Sequence, residues 1–352
     1  MMNILFIPNI AKNKKDNRLS SMIELCKKYK TNINHIVLYP SKKNNIKKVL
    51  DIINKNNIKL IMCNYGEDYL NDIGLPIIIL ERLDSCTLTN KNRKYLNCEN
   101  VVAIFKEYVC SDMSEYSTKH IQNRLHYTNL VKMKDARYAS IASDDDNHEI
   151  NSKYSKIIPV SWNLYQYSFV CNKTMENAKN SVIPDIKDID VFFVCNPHRD
   201  HEILYEHRIS GQKTLIDDER MSKYNILTNY IDNRNVYKKM VMRSKICVCP
   251  YGLGSRIALD QLSILSGSIA IKPNMDHVNL VPNVYKEGYY EIVEANWTDL
   301  IDKILDILEN WDSKYKKLAI ERRNEVIKKY DEQFYLTKYV EAIRNVVAQN
   351  EL

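Results

Sequence analysis

The sequence predicts an α/β protein built from two doubly wound, Rossmann-like domains, each with its own parallel sheet. Three observations carry that expectation. Short apolar runs alternate with helical stretches from Asn3 to Phe105, the pattern of parallel strands joined by crossover helices. A second alternating run begins at Asp190, after a middle stretch whose periodicity degrades. Residues Ser244 to Pro273 then spell a complete strand, glycine loop, helix and strand.

Taken in order, Asn3–Ile7 reads as a strand and Arg18–Tyr29 as a helix. His35–Tyr39 is the second strand, closed by Pro40; Asn45–Asn56 is an amphipathic helix with Ile46, Val49, Leu50 and Ile53 on one face. Lys59–Cys63, Pro76–Leu80 and Val101–Phe105 are further strands. Between Asp112 and Ser181 lie the polar loop Ser143–Asn147 and an irregular connector from Ile157 to Tyr167. The second run holds a strand at Asp190–Cys195, a charged helix from His201 to Leu215, and strands at Tyr224–Leu227, Lys245–Cys249 and Ile269–Lys272. Three helices close the chain, Thr298–Glu309, Ser313–Tyr330 and Glu332–Val347. A chain of 352 residues exceeds one typical core, and the division falls near residues 165–185.

Glycine placement is the sharpest local signal. Only seven glycines occur, and Gly252, Gly254 and Gly267 all lie within Ser244–Pro273. The buried run Lys245–Cys249 ends at Pro250, and Tyr251-Gly-Leu-Gly-Ser255 allows a tight turn and close approach of backbone to a ligand. Ser255 is placed to cap a helix carrying Ile257, Leu259, Leu262, Ile264 and Leu265, and Gly267 ends it. Free amides at such a helix start form an anion site.

Composition excludes several classes. The nine cysteines are odd in number and scattered, with no Cys-x-x-Cys pair, which argues against a disulfide framework or a zinc site and for reduced thiols. Met1–Ile10 is apolar but leads into Lys12, Lys14 and Lys15, the reverse of a secretory order. No apolar run approaches the ~20 residues of a membrane span, so a soluble, cytoplasmic protein is expected. Net charge is +7, of which residues 1–59 contribute +10: thirteen Lys or Arg against Asp16, Glu24 and Asp51. That basic first quarter could contact a membrane or another anionic surface peripherally, but the favoured reading is a solvated lysine face in a chain rich in Lys, Asn, Ile and Tyr. No nucleic-acid partner is expected.

The Ser244–Pro273 segment resembles the donor-binding half of GT-B glycosyltransferases, especially exostosin-like members. Those carry a strand, Pro-aromatic-Gly-x-Gly-Glu, a helix with Arg-Asp-x-Glu-Ala, a Gly, and a strand ending Lys-Pro. The match runs without a gap from Pro250 through Gly267 to Lys272-Pro273 and continues through Asn274–His277, Val281–Tyr285 and Trp297–Leu300. It covers about residues 190–310; the first half agrees only in its α/β order. Ser255 stands where the pattern has Glu, and Leu259 and Leu262 where it has Arg and Glu. Arg256, one turn before Leu259, becomes the candidate for a donor diphosphate, and Asp260, which keeps its position, the candidate for a donor hydroxyl. The alternative is an Arg256–Asp260 ion pair on an exposed helix face.

The resemblance implies residues 1–170 as an acceptor-side domain, residues 185–330 as a nucleotide-sugar domain, and a helix in residues 331–352 returning to the first. The two sheets should face each other across a cleft. It also implies donor contacts from Tyr251, Gly252, Gly254, Ser255, Arg256, Asp260 and Lys272. Asn196 and Arg199, after the first strand of the second half, sit where ligands bind such sheets, as do His198 and His201; an exposed polar turn is the other reading. Glu202–Arg208 resembles the family's helix with a His-Arg pair, and Arg208 reads as structural support. Asp144–Asp146, followed by Asn147, His148 and Glu149, and Asp188-Ile-Asp190 read as solvated acidic loops; no required metal is expected. Glu67 and Asp68, after the third strand, are the weak candidates for a catalytic base, with Asp112, Glu115, His120 and His126 as further options. The expected function is transfer of a sugar from a nucleotide diphosphate sugar to an acceptor hydroxyl of a glycan or glycoprotein, with no other cofactor. The alternatives are a catalytically silent relative that binds a glycan or protein, and an unrelated nucleotide-binding protein. Neither the sugar, the acceptor nor the oligomeric state is legible.

Overall fold

A computed structural model describes residues 2–7, 17–38, 46–64, 73–81, 86–88, 90–118, 120–133, 154–161, 180–196 and 200–351. The first half forms a six-stranded, wholly parallel sheet from β1 (Met2–Ile7), β2 (Ile33–Val37), β3 (Ile58–Cys63), β4 (Ile77–Glu81), β5 (Val101–Lys106) and β7 (Ile157–Pro159). Its strand order is β2-β1-β3-β4-β5-β7. The strands are near-continuous apolar runs because helices cover both faces: every residue of Ile-Ile-Ile-Leu-Glu in β4 is buried. Helices α1 (Asn17–Lys28) and α2 (Ile46–Asn56) are the first crossovers, and α2 buries Val49 and Ile53, one turn apart.

The second half repeats the plan. Its five parallel strands are β8 (Ile189–Phe192), β9 (Ile226–Leu227), β10 (Ser244–Val248), β11 (Ile269–Pro273) and β13 (Tyr290–Val293), in the order β13-β11-β10-β8-β9. Both sheets reverse their strand order beside their first strand, between β1 and β3 and between β8 and β10. In doubly wound sheets that reversal opens a crevice at the carboxyl ends. Alternate side chains of β10 serve different cores. Ile246 and Val248 pack with Trp297, Trp311 and the helix Leu300–Glu309, whereas Cys247 and Cys249 join a core continuous with the first half.

Two features fasten the halves together. β6 (Val109–Cys110) pairs antiparallel with β12 (Val278–Asn279), and the Ser111 amide donates to the His277 carbonyl at 3.1 Å. The last helix, Glu332–Gln349, lies on the first half: Lys28 bonds Glu332 at 2.6 Å, and the Tyr339 hydroxyl meets His35 Nε2 at 2.9 Å. Among the described residues no helix is long and apolar enough to cross a membrane.

Several expected boundaries move. The second strand begins at Ile33, two residues before the expected His35, and ends at Val37, its register set by pairing with Met2–Phe6; Tyr39 lies outside the described residues. The expected connector begins with a strand, Ile157–Pro159, which gains its partner from β5. Leu125–Lys132, Arg234–Arg243 and Tyr290–Val293 form elements in stretches where none was read. The helix expected from Ser313 is preceded by a π-turn at Trp311–Tyr315.

Candidate functional site

Arg208 marks the crevice of the second sheet. It projects from the helix Glu202–Asp217, and its Nε donates to the Tyr251 carbonyl at 3.0 Å while Nη1 donates to the Asn196 carbonyl. Those two carbonyls lie where the chain leaves β10 and β8, so the guanidinium spans the crevice at the strand reversal. Arg208 is only 4% exposed, and no carboxylate pairs with it among the described residues. Burial works against its charge and lowers its pKa. A buried cation held only by neutral carbonyls is costly unless an anion joins it. Next to it, His207 accepts the Tyr251 amide at 3.2 Å and is stacked between Tyr251 and Trp297, with ring centroids 5.0 and 4.7 Å away.

The glycine loop follows directly. The Gly252 amide donates to the Gly254 carbonyl at 2.8 Å, closing a tight turn. A Cβ on Gly252 would stand 2.4 Å from Ile257 Cγ2 and 3.1 Å from the Gly254 oxygen, so no larger residue fits. The first half reaches this loop from the start of its helix Leu125–Lys132. Arg124 Nε donates to the Leu253 carbonyl at 2.6 Å, and His126 Nε2 meets the Gly252 carbonyl at 3.2 Å. Ser255 Oγ lies between His126 Nδ1 at 3.3 Å and His277 Nε2 at 3.0 Å. Burial holds both imidazoles below the ordinary range, His277 at about 4 and His126 well below its usual value, so both are neutral near pH 7.

Beneath the loop lies a sealed ion pair. Asp260 and Lys272 both have fully buried side chains and approach to 3.0 Å. Asp260 also accepts from the Tyr285 hydroxyl at 2.6 Å and the Ile257 amide at 3.1 Å, and Lys272 donates to the Pro250 carbonyl at 3.1 Å. The pair therefore ties the helix start to β11 and to the exit of β10. Tyr127, the neighbour of His126, adds an unmet need. Its hydroxyl is buried with no hydrogen-bond partner among the described residues, a state worth about 1–3 kcal/mol of lost solvation.

Several sequence expectations are corrected here. Ser255 does not cap the helix, which spans Ala258–Leu265 with Ile257 before it; the Asp260 carboxylate takes the Ile257 amide, and the Ser255 hydroxyl is held by two imidazoles. Arg256 turns away from the helix amides: its Nε bonds the Tyr108 hydroxyl at 3.2 Å, with the guanidinium 5.2 Å from that ring's centre. The Arg256–Asp260 surface pair does not form, because Asp260 is internal and its partner is Lys272. Asp260 and Lys272 present no surface to a ligand in this conformation. Asn196 meets the site through its carbonyl. Asp112 is engaged by the Ser114 amide at 2.9 Å, and His120 Nε2 lies 2.8 Å from the Glu115 carbonyl. Arg199, His198, Glu67, Asp68, Asp144–Asp146, Asn147, His148 and Glu149 lie outside the described residues. Among the described residues no three His, Cys, Asp or Glu side chains gather as a metal site would require.

Arg124 and Tyr127 carried no sequence signal, and Arg208 read as support. The usable signal for Arg208 was its spacing: it falls four residues after Leu204 and seven before Leu215, both fully buried, so a cation sits on the buried face of its helix.

No protein-family model and no curated protein sequence matches this chain. Solved structures with a similar course include a glycosyltransferase from Rickettsia africae ESF-5, 14% identical over 98% of each chain with a TM-score of 0.46. The UDP-forming α,α-trehalose-phosphate synthase from Burkholderia vietnamiensis is 10% identical over 100% of this chain and 99% of its own, with a TM-score of 0.46. An α-glucosyltransferase solved in complex with UDP is 10% identical over 99% and 100%, with a TM-score of 0.43. At these values the likenesses do not bear on what this chain binds.

Proposed function

We propose that this protein is a GT-B-type glycosyltransferase that moves a sugar from a nucleotide diphosphate sugar to an acceptor hydroxyl. The observation that carries this reading is Arg208, a buried guanidinium with no carboxylate partner among the described residues, set at the strand reversal beside a glycine loop. A diphosphate supplies the missing anion, and the resemblance of Pro250–Pro273 to a donor-binding segment supports the same ligand. In the reaction the bond from the sugar's anomeric carbon to the diphosphate oxygen breaks, and the acceptor oxygen bonds to that carbon. Arg208, with Arg124 from the first half, offsets the charge that builds on the leaving diphosphate. The acceptor's proton leaves on the first-half side, where Glu67 and Asp68 are the proposed bases. Asp260 and Lys272 serve by holding the loop from beneath. A second reading, a silent binder of a glycan or protein, is favoured by one observation: the only acid of the loop's helix is consumed by Lys272.

The test is a thermal-shift and calorimetry panel of nucleoside diphosphates and their sugars, run on the wild type and on Arg208→Lys. Ligand at a hundred times its Kd stabilises the native state by about 2.7 kcal/mol. Arg208→Lys keeps the charge and loses the forked geometry, removing about 1.5–3 kcal/mol of charge-assisted bonding, a tenfold or greater loss of affinity. If no member of the panel binds, or the variant binds as tightly as wild type, the assignment fails. Binding without release of nucleoside diphosphate, with or without EDTA, selects the silent binder.

A further inference from the structure

The helix Ala258–Leu265 holds only the end of the glycine loop, where Asp260 takes the Ile257 amide. Between Pro250 and Ile257 the loop makes one internal backbone bond, Gly252 to Gly254, while its Gly252 and Leu253 carbonyls are taken by His126 and Arg124. We propose that Arg124 and His126, side chains of the first half, are positioning residues that impose the shape of the glycine loop in the second half. What they would position, a donor diphosphate, rests on the function proposed above; the grip itself does not.

The hydrogen bonds around Ser255 have one consistent direction. A carbonyl oxygen only accepts, so His126 Nε2 carries the hydrogen toward Gly252, and in a neutral ring Nδ1 is then bare. The Ser255 hydroxyl donates to that Nδ1, which leaves its oxygen to accept from His277 Nε2. The chain runs from His277 through Ser255 and His126 to the Gly252 carbonyl, and so crosses from one half to the other. A proton added at His126 Nδ1 meets the Ser255 hydrogen and breaks it. Burial opposes a positive charge at His126, as do His277 before β12, Arg124 on its own segment and His207 on the neighbouring helix; the Gly252 carbonyl favours it, and Tyr127 and Tyr251 are neutral. Lys272 adds to the repulsion at His277, where Asp276 alone favours charge. Acid therefore loosens the loop at Ser255, while the His126 Nε2 bond to the Gly252 carbonyl and the Arg124 bond to the Leu253 carbonyl remain.

Amide hydrogen exchange on the full chain, without nucleotide, reads the grip directly. The measured stretch is 250–257, normalised to strand β10 and corrected for the intrinsic rate at each pH. Wild type is compared with Arg124→Ala, His126→Ala, His126→Gln and the distant control Lys28→Ala. Exchange in 250–257 should rise at least tenfold in both loop-facing alanine variants, with β10 and the control unchanged. Gln reaches as far as Nε2 and offers the same N–H to Gly252 without a titrating ring, so His126→Gln should restore protection and lose the acid-induced rise seen in wild type below the ordinary imidazole range. Unchanged exchange in folded Arg124→Ala and His126→Ala overturns the proposal. Should the alanine variants fail to fold, a folded His126→Gln that keeps the wild-type acid step overturns it as well. Because no nucleotide is present, this outcome is separate from whether the loop binds one.

Discussion

The two sheets share the course of their strand order, yet they differ in what they bury. In the first, β4 is a run of Ile77, Ile78, Ile79 and Leu80, none more than 1% exposed, and charge enters only at the carboxyl edge, where Glu81 and Lys106 are neighbours in register. In the second, charge reaches inside. Lys272 at the end of β11 is fully buried against Asp260, Lys187 is gripped by the Met242 and Ser266 carbonyls at 2.8 and 3.0 Å, and Arg208 spans two strand exits. One sheet is a scaffold whose stability is apolar burial; the other gives up part of that burial to hold a loop. Buried charge beneath the glycine loop thus sets the second half apart from the first.

Asp260→Ala tests the difference most strongly. Removing one partner of a sealed pair strands the Lys272 ammonium and should cost about 3–5 kcal/mol in urea unfolding. Replacing both partners with apolar residues, Asp260→Leu with Lys272→Met, should recover much of that loss. A single-variant cost below about 1 kcal/mol would place Asp260 in solvent and erase the contrast.

The next effect is acid sensitivity, which both halves share. Burial depresses His35 in the first half and His277 in the second to about 4, from 6.5. As pH falls below about 6.5 the unfolded chain takes up protons that the folded chain refuses. Stability is therefore complete above that pH and declines toward about 4, by about 1.4 kcal/mol for each unit of depression. Urea midpoints measured across that window should fall, and His35→Gln and His277→Gln should each flatten part of the slope. An unchanged slope in both variants would mean the imidazoles are solvated.

The smallest effect belongs to the scaffold. Ile79→Val deletes one buried methylene and should cost about 0.5–1.5 kcal/mol without altering the acid slope or the proposed nucleotide binding. A change in binding from that substitution would show that the two halves do not divide their labour this way.

The same division explains what was legible in the sequence. Strands such as Ile58–Cys63 and Ser244–Val248 are nearly continuous apolar runs, and the crossover order made the sheets parallel. Ile157–Pro159 and Tyr290–Val293 were missed because they are short edge strands whose identity comes from a distant partner. At the site, the glycine turn was legible as local geometry, whereas its partners were not. Arg256 finds Tyr108 at a separation of 148 residues, and Asp260 finds Lys272 across a crossover. Local rules offered only the helix neighbour for each. The Ser255 cap failed for a related reason: a hydroxyl near two imidazoles has a better offer than the helix amides, and Asp260 already serves the Ile257 amide.

The helix Glu332–Gln349 has a consequence for the order in which this chain is made. Tyr335, Leu336, Tyr339, Ile343 and Val346 are buried in the same core as β1 and β3. A ribosome finishes the first sheet by Pro159 but completes this covering helix only after residues 160–349, roughly ten to forty seconds later at about 5–20 residues per second. Through that interval the ledge beside His35 and Met62 that receives Tyr339 stays uncovered. The nascent first half thus lacks its apolar cover for a span set by the translation speed of the second half.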